Sequence, residues 1–163
     1  PQAWVLKREL TWIPIVGWAI WLLKPIAINR KAGAVAVNQV VEQGTKRLAE
    51  GYWVLIFPEG TRVAVGKTRK YGVSGALLAS KAGCKIVPVA HNAGKFWPRR
   101  GWLKRPGEIR VVIGPPIEAA GRDPRELNEE VRQWIEGTLK ELDRASELPV
   151  SQTLKEPVAI KET

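Results

Sequence analysis

The amino-acid sequence predicts an α/β fold, with a mostly parallel or mixed sheet covered by helices on both faces. Two observations carry this. Four apolar-rich runs of strand length stand at 25–29, 52–57, 85–90 and 108–113, and YWVLIF at 52–57 is continuous, as in a sheet covered on both faces. Segments with helical spacing of apolar residues stand between and after them, at 34–50, 74–82 and 123–142. The length of 163 residues suits one domain. We expect that domain over residues 1–145 and a flexible tail over 146–163, where two prolines stand and no periodicity persists.

In chain order, residues 10–23 (LTWIPIVGWAIWLL) come first, fourteen residues without a charge. As a helix they would span about 21 Å, short of the ~30 Å hydrocarbon core, and Pro14 and Gly17 weaken the helix further. Two readings stay open. One is a buried core helix. The other is a segment dipping into one membrane leaflet, with Trp12, Trp18 and Trp21 at headgroup depth.

The run PIAIN reads as a short buried strand. The helix over 34–50 presents Val37, Val40, Val41 and Leu48 on one face and closes at Gly51. The run YWVLIF is a strand stopped by Pro58. A helix over 74–82 stops at Gly83, and KIVPVA and EIRVVI are further strands. The helix over 123–142 has Asp123 as its cap, Pro124 at its first position and Glu126 to complete a capping box. Its buried stripe is Leu127, Val131, Trp134, Ile135, Leu139 and Leu142.

Composition narrows the chemistry. One cysteine excludes a disulfide framework or a cysteine-rich zinc site, and one histidine, His91, excludes any mechanism needing two imidazoles. The chain holds no methionine and begins at Pro1, so we expect it to be a processed form or a fragment. The net charge is +10, from 26 basic and 16 acidic residues. Residues 60–107 hold eleven basic residues and no acid, which leaves fifteen basic and sixteen acidic residues elsewhere. Such a segment favours an anionic partner, or else forms a solubilising basic face. Within it, residues 95–105 interleave Phe96, Trp97 and Trp102 with five basic residues. That pattern suits a membrane interface, single-stranded nucleic acid, or a plain loop packed on the sheet.

The residues richest in chemistry follow the second apolar run: Pro58, Glu59, Gly60, Thr61 and Arg62. A site in an open α/β fold forms where buried strands end at the sheet edge. Gly60 lets the backbone turn sharply or approach a ligand, Arg62 is a two-pronged donor suited to phosphate, and Glu59 can orient a hydroxyl or hold a cation nearby. A strand-ending turn with a local Glu–Arg pair is the plain alternative.

The block Phe57-Pro58-Glu59-Gly60-Thr61-Arg62 resembles the FPEGTR block of the glycerophospholipid acyltransferases. Two more blocks follow that family's order: Ile26-Ala27-Ile28-Asn29-Arg30, and Ile86-Val87-Pro88-Val89-Ala90. The resemblance covers about residues 3–142. It implies a glycerolipid acyltransferase-like fold and transfer of a fatty acyl group from acyl-CoA or acyl carrier protein to a glycerol hydroxyl. The expected acceptor is 1-acylglycerol-3-phosphate (lysophosphatidic acid), giving phosphatidic acid. Glycerol-3-phosphate or another lysolipid is an alternative acceptor, and a non-catalytic module binding anionic membrane or nucleic acid is an alternative class.

By the same resemblance the substrate-binding set is Arg30, Glu59, Gly60, Thr61 and Arg62. Arg30 and Arg62 would take the acceptor's phosphate, and Glu59 and Gly60 would shape the glycerol pocket. No cofactor or metal is implied, because the thioester already carries an activated acyl group. An anionic membrane surface, at the cytoplasmic face of a bacterial inner membrane, is the expected setting, and no nucleic-acid partner is expected. The chain departs from the family in one respect. It has no H-x-x-x-x-[DE] block: His91 is followed five residues on by Phe96 and lies after the FPEGTR block, where the family's base lies before it. The expectation is that the catalytic histidine and its acid precede Pro1, that this chain alone is inactive, and that His91 is a strand-end residue hydrogen-bonded near the pocket.

Overall fold

A computed structural model describes residues 1–98 and 103–147. Arg99, Arg100 and Trp102 of the aromatic and basic run lie outside the described residues, as does the expected tail from residue 148 onward.

Three parallel strands form the main sheet, in the order β2-β1-β3. The central strand β1 is Gln2–Lys7, flanked by β2 at Ile26–Ile28 and β3 at Trp53–Leu55. Val5 pairs with Ile26 on one side of β1, and Ala3 with Val54 on the other. A 3-10 turn over Arg8–Trp12 and a short helix α1 over Val16–Leu22 link β1 to β2. Helix α2, Ala34–Ala49, links β2 to β3. Helix α3, Ser74–Ala82, follows and ends on the left-handed Gly83, as its sequence predicts.

The α/β architecture of parallel strands with helices is the one expected, and its core explains why. Side chains alternate along a strand, so Val5, Val54 and Ile56 reach the same face as Ile26 and Ile28. There they pack with Val40 and Val41 of α2 and Leu78 of α3. Ile26 and Val40 are almost wholly buried, each worth about 1.5–3 kcal/mol of transfer free energy. The opposite face carries Trp4 and Phe57, whose rings stand 5.9 Å apart and remain partly exposed.

The second half adds an antiparallel pair, β4 at Val89–His91 with β5 at Val111–Ile113. The expected strand KIVPVA is shorter than its apolar run. Ile86 makes an isolated bridge to Ile117, and pairing resumes only after Pro88, which has no N–H to donate. Helix α4, Pro124–Glu147, packs on α3 and β4. Its Leu127 closes a second core with Ala76, Ala79 and Ala119, lined by Cys84, Ile86 and Ile117.

Other parts differ from expectation too. Of the strand expected over 108–113 only Val111–Ile113 pairs, because its partner β4 is itself only three residues long. β1 is not among the strands that the sequence predicts. Residues 10–23 do not form a buried core helix: they split into the 3-10 turn and α1, and Trp12, Trp18, Trp21 and Leu22 are each 67% to 76% exposed. Among the described residues no helix is long and apolar enough to cross a membrane.

Candidate functional site

Because β1, β2 and β3 run parallel, their carboxyl ends share one edge of the sheet, where crevices form in open α/β folds. A crevice of about 290 Å³ opens there. Its floor is apolar, from Val5, Ile28, Val37, Val40 and Ile56, and its polar rim is Arg30, Glu59, Gly60, Arg69 and Ser74.

The turn after β3 builds the rim. Pairing of β3 already ends at Leu55, and Ile56 and Phe57 lead into the turn at Pro58. The Gly60 N–H donates to the Phe57 carbonyl at 2.9 Å, and Gly60 adopts φ +66, a conformation side chains disfavour. The Gly72 N–H donates to the Pro58 carbonyl at 2.8 Å, which folds the intervening basic loop back over the crevice. From β2, the Asn29 N–H donates to the Gln39 side chain of α2 at 3.3 Å, fixing the corner that carries Arg30. Arg30 then donates through Nη1 to the Gly60 carbonyl, joining the two motif blocks directly.

The electrostatics set Glu59 apart. Its carboxyl is held above the ordinary value of 4.5, first by burial. His91 and Arg69 oppose the rise and Glu136 adds to it. Tyr71, buried beside it, is pushed up to about 12, by burial first and then by the charges of Glu59 and Glu136. Glu136 belongs to α4, where it accepts from Arg132 Nη1 at 2.9 Å. The last helix thus contributes charge to a site whose motifs lie far earlier in the chain.

Of the residues expected from sequence, Arg30, Glu59 and Gly60 converge on the crevice. Thr61 and Arg62 follow on the same loop but do not line it. Arg62 is exposed. Sequence reasoning missed Arg69, which the returning loop places on the rim, and the start of α2 at Gly33 and Ala36. The only trace of Arg69 in the sequence was its membership in the acid-free basic segment. His91 ends β4 and its Nδ1 accepts from the Ala93 N–H at 3.3 Å, the strand-end role expected of it. Among the described residues no cluster of His, Cys, Asp and Glu is arranged to hold a metal ion.

Comparison with known proteins gives a consistent set. Residues 1–92 match the model of a protein family described as Acyltransferase. A 1-acyl-sn-glycerol-3-phosphate acyltransferase of Pseudomonas aeruginosa is 47% identical over 160 residues, covering 96% of this chain and 60% of that protein. The human 1-acyl-sn-glycerol-3-phosphate acyltransferase alpha is 30% identical over 124 residues, covering 76% of this chain and 44% of the human protein. The crystal structure of the 1-acyl-sn-glycerophosphate (LPA) acyltransferase, PlsC, of Thermotoga maritima is similar with a TM-score of 0.68 and 26% identity, over 87% of this chain and 57% of that one. The chain therefore spans between two fifths and two thirds of the length of these relatives.

Proposed function

Because the chain belongs to the Acyltransferase family, we propose that it works as part of an enzyme that acylates 1-acylglycerol-3-phosphate to phosphatidic acid. The observation that carries this is the junction of the two motif blocks. The Arg30 guanidinium meets the Gly60 carbonyl at the mouth of an apolar crevice. Cations above an apolar floor match a lipid phosphomonoester, whose head is doubly charged and whose tail is not.

In this reading Arg30 and Arg69 hold the phosphate from two sides, as guanidinium forks do. Arg62 and Thr61 stand at the outer lip, and Glu59 accepts a hydrogen bond from the glycerol. The acceptor hydroxyl attacks the thioester carbonyl. Its proton goes to a general base, and the carrier leaves as a thiol. The base and its orienting acid belong, by the family's motif order, to residues preceding Pro1. Acyl-CoA or acyl carrier protein supplies the acyl group. The setting is the cytoplasmic face of a bacterial inner membrane, where such an acceptor resides.

The test is acyl transfer by the full-length protein, offered lysophosphatidic acid, glycerol-3-phosphate and lysophosphatidylcholine, with each donor in turn. Transfer to lysophosphatidic acid with Arg30→Ala defective supports the reading. Absence of transfer to it, or transfer undiminished by Arg30→Ala, overturns it. His91→Gln should stay within about threefold of the parent. A fall of 10²–10⁴-fold, the usual contribution of a general base, would move the base into this chain.

A further inference from the structure

From the surface of the first connection we infer that α1 and the turn before it form a membrane-docking element, seated at headgroup depth in an anionic bilayer. Trp12, Ile15, Trp18, Trp21, Leu22 and Leu23 are all at least 65% exposed, within twelve consecutive residues. A cluster of large apolar side chains this dense is uncommon on a soluble surface and marks a contact site. At seven residues, α1 is too short to span a bilayer, and only Gly17 is buried in it. A Cβ at Gly17 would collide with the Thr11 carbonyl, so the glycine lets α1 lie tightly against the 3-10 turn.

The backbone holds this projection at a cost. Pro14, Ile15 and Val16 form a tight turn, closed by the Val16 N–H donating to the Pro14 carbonyl at 2.7 Å. Ile15 sits at φ +66 and ψ −58, the strained form of the γ-turn and a conformation rarely held by a β-branched residue. Strain of this kind, on a segment that buries almost nothing, points to a requirement outside the folded chain.

Charge selects the partner. From residue 1 to 41 the single acid is Glu9, and Lys7 pairs with it at 3.1 Å. Arg8, Lys24 and Arg30 carry positive charge in the same stretch, with the Arg8 guanidinium 5.6 Å from the Trp12 ring centroid. Tryptophan prefers the headgroup layer, and cations beside it meet lipid phosphates. The 3-10 turn leaves the carboxyl end of β1, the same sheet edge at which the crevice opens. A bilayer seated there lies next to the mouth that would take its lipid. This deepens the membrane setting proposed above, yet it is separable from acyl transfer, because vesicle binding and catalysis are measured independently.

The experiment compares the full-length protein with its Trp12→Ser, Trp18→Ser, Trp21→Ser triple variant, in co-sedimentation with phosphatidylglycerol-containing and with pure phosphatidylcholine vesicles. The parent should prefer the anionic vesicles. The variant should lose at least tenfold in apparent affinity for them, while keeping its circular dichroism spectrum and its transfer to acceptor dissolved in detergent. In a second measurement, a Trp18→Cys, Cys84→Ser protein labelled with an environment-sensitive dye should shift to the blue when anionic vesicles are added. Unchanged vesicle binding by the triple variant, or no dye shift, overturns the inference. So does a lipid-free dimer of the parent that the triple substitution dissociates, since a second copy would then be the occupant.

Discussion

Arg69 and Glu59 face one crevice with opposite demands. Arg69 belongs to no motif block, yet the loop closed by Gly72 on Pro58 brings it to the rim with Arg30. If it grips the acceptor's phosphate before and during transfer alike, its loss removes uniform binding. Arg69→Ala should then raise KM for lysophosphatidic acid about tenfold, roughly 1.4 kcal/mol, with kcat nearly unchanged. Arg69→Lys should recover part of it, and steady-state kinetics of the three proteins checks this. Glu59 instead carries a cost. Burial raises its folded-state pKa above the ordinary 4.5, so protonation favours the folded state. That stabilisation is complete below the unfolded value and is lost as pH rises through the folded one. Glu59→Gln should therefore raise Tm at pH 7, and the gain should vanish below about pH 4.5, where the parent is itself protonated. The same substitution should impair transfer, the exchange of stability for activity expected of a half-buried carboxylate that works on substrate. Thermal melts of both proteins across pH 4–8 decide it.

At the scale of elements, α4 is where local sequence and tertiary packing agree most closely. Asp123 Oδ1 accepts from the Arg125 and Glu126 N–H groups at 2.8 and 3.1 Å, the cap its sequence announces. Leu127 is 0% exposed and seals the second core. Asp123→Ala should cost about 1 kcal/mol and Leu127→Ala about 2–5 kcal/mol, read from urea midpoints at constant m-value. Equal costs would mean that α4 is held by its end and not by its stripe. The helix was legible because cap, first-turn proline and apolar spacing all point the same way. β1 was not legible. Gln2 and Lys7 bound a run of only four apolar residues, and what makes it the central strand is pairing on both sides, which no local pattern records. The segment over 10–23 was ambiguous for a different reason: apolarity measures only preference for a non-aqueous neighbour, so protein core and lipid look alike. In the crevice, Arg30, Glu59 and Gly60 were legible through motif chemistry. Arg69 on the rim was not, nor was Glu136, whose charge acts on Glu59 from outside the crevice lining, since a returning loop and a distant helix deliver them.

The whole molecule is electrically lopsided, and this bears on how an anionic lipid would find the crevice. All excess positive charge falls within residues 60–107, with eleven basic residues and no acid. Some of it is locally spent: Lys85 pairs with Glu118 at 2.6 Å, and Lys95 with Asp143 at 2.9 Å. Arg62, Lys67, Arg69 and Lys70 all leave β3 on the loop that folds over the crevice, and all four are exposed. Their fields add over distances longer than a hydrogen bond, so they should speed encounter with a phosphate-bearing acceptor. Salt separates this long-range effect from the contacts inside. The Debye length shrinks from ~30 Å at 0.01 M to ~8 Å at 0.15 M ionic strength, which screens the distant cations and leaves Arg30 and Arg69 within contact range of the phosphate. In the proposed reaction, kcat/KM for monomeric lysophosphatidic acid should fall several-fold over that interval and then flatten, while kcat holds. A Lys67→Glu, Lys70→Glu double variant should start from the lower value and show almost no salt slope. An uncharged lysolipid acceptor should show none with either protein. A steep slope that survives the double variant would place the attraction in the crevice itself, and the loop would then be a solubilising face.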